Sequence, residues 1–149
     1  MISTVEKVLF LKTIDLFRAI PGEDLVRLAQ ITEEIRFEPK DVLITEGEMG
    51  DSLYLIAAGR VRVEKHGALV IELGARECVG EMAILDSEPR SATVKAIEPV
   101  TALKIEREDF YDLLHEKHEI AQAIIKVLTR RLRRTTESAR VAWPSRSGE

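Results

Sequence analysis

Between Glu34 and Ile105 the chain is cut into short runs in which apolar and polar residues alternate, and turns carrying glycine or proline close most of them. Ile35 and Phe37, then Val42 and Ile44, flank Pro39-Lys40-Asp41, which reads as strand, turn, strand. Glu46-Gly47-Glu48-Met49-Gly50-Asp51-Ser52 is a polar turn leading into the apolar run Leu53 to Ala58, which Gly59 breaks. Val61 and Val63 resume the alternation, a hairpin is expected at His66-Gly67, and Leu69, Ile71 and Leu73 form the return strand. After the turn Gly74-Ala75-Arg76-Glu77 and a less regular stretch, Thr93 to Ala96 and Thr101, Leu103 and Ile105 complete the pattern. Short strands at roughly ten-residue spacing predict an antiparallel β-roll or jelly roll.

Helical spacing brackets this region. Val5, Val8, Leu9, Leu11 and Leu16 suggest a first helix, and Pro21-Gly22-Glu23-Asp24 is a start signal for a second that ends near Ile31. Downstream, Phe110, Leu113 and Leu114 fall on one side of a short helix, and a longer one runs from Glu119 to about Ala142, where Trp143-Pro144 stops it. With 149 residues and 45% hydrophobic content there is room for one core. The expectation is therefore a single mainly β domain with flanking α over 1–149: N-terminal helices at about 4–31, the β-roll at about 34–105, C-terminal helices at about 106–142 and a tail at 143–149. No apolar run approaches the roughly 18 residues of a transmembrane helix, and the first residues lack the pattern of a signal peptide, so a soluble, cytoplasmic chain is expected.

The chemistry concentrates in Gly80 to Val94. A short helix beginning near Gly80 would aim unpaired backbone N–H groups, and the positive end of its dipole, at an anion in front of them. Arg90 adds a planar fork suited to two phosphate oxygens, and Ser91 adds a hydroxyl beside it. Glu81 would be repelled by a phosphate unless it accepts hydrogen bonds from a hydroxyl of the same ligand, as acids do with ribose. Phosphate and ribose together indicate a nucleotide.

Val79-Gly80-Glu81-Met82-Ala83-Ile84, a gap, and Pro89-Arg90-Ser91-Ala92-Thr93-Val94 closely resemble the phosphate-binding cassette of cyclic nucleotide-binding domains, F/I-G-E-x-A-L followed by P-R-A/S-A-T-V. The departures are conservative: Val79 stands for an aromatic or isoleucine, and Ile84-Leu85 for a leucine pair. Glu46 to Val63, which reads E-G-E-x-G-D-S-L-Y-L-I-x-x-G-x-V-x-V, is similar to the same family, and the likeness runs from Phe17 to Thr136. It implies a ligand contact for Gly80, Glu81, Met82, Ala83, Arg90, Ser91 and Ala92, with Glu81 on the ribose hydroxyl and backbone groups near Met82 and Ala83 on the phosphate. In the catabolite activator branch a hydroxyl pair at the end of the long helix reads the adenine, one hydroxyl coming from the neighbouring subunit; the resemblance puts that role on Thr135 and Thr136. Members that prefer cGMP often carry threonine after the cassette arginine, so Ser91 leans toward cAMP, with cGMP the alternative.

No enzyme is expected. His66, His115 and His118 lack metal-site spacing, and Ser87, Ser91 and Glu81 have no base nearby in sequence. Cys78 is the only cysteine, so no internal disulfide or thiolate cluster can form, and a small buried apolar side chain is expected there. Net charge is −4, whereas Lys126 to Arg140 carries six cations against Glu137. A solvated helical face is the plain reading of that run, and contact of its arginines with a phosphate, a partner chain or nucleic acid is the sharper one. Binding to nucleic acid by the chain as a whole is not expected. The catabolite activator branch continues from this helix into a helix-turn-helix, for which a chain ending at Glu149 has no room. No metal or cofactor is implied. The expected partners are the cyclic nucleotide, a second copy through the long helix, and an effector domain or protein outside the chain. A nucleotide-insensitive interaction module is the competing reading.

Overall fold

The computed structural model describes residues 1–142. Ser3 starts the first helix with a capping box: its hydroxyl accepts from the Glu6 N–H and its own N–H donates to the Glu6 carboxylate, each at 3.1 Å. That helix, α1 (Thr4–Leu11), stops short of the expected Leu16. The Thr13 hydroxyl turns back to donate to Phe10 O at 2.6 Å, Ile14 is extended, and Leu16 falls in a separate 3₁₀ turn, Asp15–Phe17. Pro21 then caps α2 (Gly22–Gln30), where its missing N–H costs nothing.

Eight strands follow: β1 (Thr32–Phe37), β2 (Val42–Ile44), β3 (Ser52–Ala58), β4 (Val61–Lys65), β5 (Ala68–Leu73), β6 (Cys78–Val79), β7 (Thr93–Ala96) and β8 (Val100–Glu106). They form two antiparallel sheets, ordered β1-β8-β3-β6 and β2-β7-β4-β5. The β4–β5 hairpin turns at His66 and Gly67, both at positive φ, as the sequence suggests. β6 was not expected. Two residues have no readable period, and it is pairing with β3, Tyr54 opposite Val79 and Leu55 opposite Cys78, that makes them a strand. A short helix, α3 (Glu81–Asp86), lies between β6 and β7, and α4 (Arg107–Glu116) and α5 (His118–Ala142) close the element order. Trp143-Pro144 and the rest of the expected tail 143–149 lie outside the described residues.

Two cores share β3 and β8. Leu53, Leu55, Leu103 and Ile105 pack with Phe17, Leu28, Phe110, Ile120 and Ile124 of the helices. Tyr54, Ile56, Val100 and Ala102 face Ile44, Val61, Val94 and Ala96 between the sheets. Leu53 to Ile56 is therefore continuously apolar because both of its faces are buried. α3 is tied to the helical side, since Ile84 belongs to that core and is fully buried.

Candidate functional site

The site forms where α3 and the start of β7 meet the loop between β2 and β3. Main-chain pairing joins the two stretches: Gly47 N donates to Arg90 O at 2.9 Å, Arg90 N donates to Glu48 O at 2.8 Å, and Met49 bridges Pro89. With its backbone held from both sides, Arg90 turns its side chain inward and is only 7% exposed. Nη1 donates to Gly80 O at 3.1 Å and Nη2 to Ser52 O at 2.5 Å. Desolvation lowers its pKa from the ordinary arginine value, opposed by Tyr54, Asp51 and Glu48, and a guanidinium still stays charged at neutral pH. Among the described residues none of the ion pairs includes Arg90. Two neutral carbonyls orient this cation, and the acids that oppose its desolvation form no ion pair with it among the described residues.

In front of it lies a cavity of about 190 Å³. Gly80, Glu81, Arg90, Ser91 and Ala92 line it together, although the first and last are twelve positions apart in sequence. Met82 and Ala83 follow Glu81 in the first turn of α3, where backbone N–H groups have no partner within the helix. Gly80 has φ +89, and a Cβ there would lie 2.5 Å from Arg90 Nη1, so the close approach of backbone to guanidinium requires glycine. The opposite wall is apolar: Ile44, Val63, Ile71, Leu73, Val79 and Val94 present a surface suited to the flat face of a ring. Sequence reading took Ile44, Val63, Ile71 and Leu73 only as strand residues, and Val79 and Val94 as the ends of the cassette match. Alternation sets the apolar side of each run separately, but does not show that β2, β4, β5 and β7 turn those sides toward the arginine.

Cys78 also lines the cavity and is half-buried rather than the buried filler expected of it. Desolvation, followed by the neighbouring Glu81 carboxylate, pushes its thiol well above the ordinary range, so it stays protonated and is a poor nucleophile. Among the described residues no three His, Cys, Asp or Glu side chains could hold a metal ion, and no helix is long and apolar enough to cross a membrane.

Thr135 and Thr136 are not brought to this cavity within one chain. Both are exposed on the outer half of α5, and their hydroxyls donate to Arg131 O at 3.0 Å and Leu132 O at 2.9 Å. That half of the helix is tethered to the 3₁₀ turn by Arg131, whose Nε and Nη2 donate to Asp15 Oδ2 at 3.1 and 2.8 Å. The Arg131 guanidinium holds the Asp15 carboxyl below its usual range, so the tether is charged on both sides at neutral pH.

The profile of the cyclic nucleotide-binding domain matches residues 34–117. A CRP-like cAMP-activated global transcriptional regulator of Mycobacterium tuberculosis is 27% identical over 128 residues, 83% of this chain and 57% of the relative. A cyclic nucleotide-gated potassium channel of Rhizobium etli is 35% identical over 118 residues, 79% of this chain and 33% of the channel. The N-terminal domain of a transcriptional regulator from Streptomyces coelicolor A3(2) superposes with a TM-score of 0.78 at 29% identity, covering 86% of this chain and 95% of that one. The chain thus spans little more than half of the curated regulator and a third of the channel.

Proposed function

This chain belongs to the cyclic nucleotide-binding domain family, and we propose that its pocket takes cAMP and converts binding into movement of α5. The observation that carries this is Arg90: a buried cation, oriented by two carbonyls and paired with no carboxylate among the described residues, at the floor of a cavity with an apolar wall. In the proposed complex Arg90, the Ser91 hydroxyl and N–H, and amides near Met82 and Ala83 hold the cyclic phosphate. Glu81 accepts from the ribose hydroxyl, and the base lies on the apolar wall. The role is regulatory rather than catalytic, and cAMP is preferred over cGMP because serine follows the arginine. Calorimetric titration with both nucleotides, with molecular mass recorded in each state, tests this: one cAMP per chain and weaker cGMP are expected. A folded chain that gives no heat with either nucleotide ends the reading and favours the nucleotide-insensitive interaction module.

The output is proposed to run through α5. Ile125 and Leu132, one heptad apart, are 61% and 67% exposed, a seam that suits a second copy of the same helix. Pairing there would place the partner's Thr135 or Thr136 near the base, and the effector would be another domain or protein that reads the helix position. A bound state in which the outer half of α5 closes toward the base must release Arg131 from Asp15. Asp15→Asn should then raise cAMP affinity about two- to fivefold, the range of an exposed ion pair. Unchanged affinity in that variant, with amide exchange over 129–138 indifferent to cAMP, would count against the movement.

A further inference from the structure

Arg107, the first residue of α4, lines no part of the nucleotide cavity yet joins two segments that lead into it. Its backbone N–H donates to Asp51 O at 2.7 Å and its Nη1 to Gly50 O at 3.5 Å. The next residue, Ser52, supplies the carbonyl that fixes Arg90 Nη2. On the other side Nη2 of Arg107 donates to Ser87 Oγ, one position beyond α3. The same guanidinium lies 5.5 Å from the ring centre of Tyr111, whose hydroxyl donates to Ile84 O in α3. One side chain thus bridges the loop before β3, next to Ser52, and the far end of α3, the six-residue helix that Gly80 precedes.

We propose that Arg107 is a positioning residue for cyclic-nucleotide binding, a role that presupposes the nucleotide reading of the pocket. By clamping Gly50 and Asp51 to Ser87 it fixes α3 against the loop before β3 and, through the length of α3, Gly80 O against Ser52 O, and so the direction of the Arg90 fork, before ligand arrives. Without the clamp that order has to be created at binding, and the loss appears in affinity. A merely structural arginine would behave differently, lowering stability and leaving the affinity of the folded chain alone. Tyr111 supports the clamp by holding α3 through Ile84 and by stacking under the guanidinium.

The test is cAMP titration and thermal melting without ligand for the unmodified chain, Arg107→Met, Arg107→Lys, Ser87→Ala and the double variant Arg107→Met/Ser87→Ala. Methionine keeps the apolar stem and the backbone N–H to Asp51 O and removes every side-chain donor. Arg107→Met should weaken cAMP about tenfold and Arg107→Lys less, because lysine restores one charged donor. Ser87→Ala should cost about threefold alone and nothing further in the double variant, since the clamp is already broken. If Arg107→Met fails to fold, Ser87→Ala and Tyr111→Phe still report on the clamp, and wild-type affinity in both overturns it. Wild-type affinity in a folded Arg107→Met with a lowered melting temperature overturns the inference alone. An unmodified chain that binds neither nucleotide overturns the pocket reading, and the inference with it.

Discussion

Arg90→Leu is expected to abolish the response to cAMP while leaving the chain folded. In the proposed complex the guanidinium meets the phosphate in a desolvated setting, where removing one partner of a charge pair costs about 2–5 kcal/mol. Affinity should fall at least tens of fold. Two effects on the unliganded fold oppose each other. Ser52 O and Gly80 O lose their donor, at about 1–3 kcal/mol for each buried group left unpaired, and a buried cation in no ion pair among the described residues is removed, which relieves its desolvation. The melting temperature without ligand should therefore move by only a few degrees. Saturating cAMP at a hundred times its dissociation constant should add about 2.7 kcal/mol of stability to the unmodified chain and less than about 1 kcal/mol to the variant. Arg90→Lys, which keeps the charge and loses the fork, should fall between them. Calorimetry showing equal affinity for Arg90→Leu and the unmodified chain would remove the phosphate assignment.

Gly80→Ala should be nearly as severe for binding, and for a different reason. The left-handed backbone at this position disfavours any side chain, at about 1–3 kcal/mol. The added methyl also meets Arg90 Nη1 at 2.5 Å, Ile44 Cδ1 at 3.0 Å and Ser52 O at 3.2 Å. Backbone and core cannot easily give way, whereas the end of an arginine side chain can. The clash is therefore relieved by moving the guanidinium off its carbonyls, which disarms the site from behind. Loss of about 1–3 kcal/mol in denaturant unfolding is expected, together with a fall of at least tens of fold in cAMP affinity. Gly22→Ala is the control, because its added methyl meets nothing within 4 Å. If Gly80→Ala loses stability but binds cAMP like the unmodified chain, Arg90 does not need the position it occupies here.

The same arginine organises the fold as well as the site. Its main chain closes the β2–β3 loop onto the start of β7, and its side chain reaches the first residue of β3 and the last residue before α3. A phosphate drawn onto it would pull on segments that Arg107 and Tyr111 connect to α4, and α4 leads through Lys117 into α5. Any displacement of the cassette thus has a short mechanical route to the long helix.

What is local in this protein was legible in its sequence. The Pro21 helix start, the hairpin at His66-Gly67 and the strands from β1 to β5 follow from period and turn chemistry within a few residues, and the joint occurrence of Gly80, Glu81, Arg90, Ser91 and Ala92 from the resemblance to the phosphate-binding cassette. Only the tertiary structure decided what lies opposite. Ser52 binds Arg90 through a carbonyl that every residue possesses, from 38 positions away, so nothing in its identity announces the contact. Ile71 and Leu73 became pocket wall, Cys78 became strand and lining, and Arg107 became a clamp because the sheets fold these segments over the cassette. Sequence periodicity tells which side of a strand or helix is apolar. Which element covers that side, and which backbone groups meet across the gap, is settled when the two sheets and the helices close on one another.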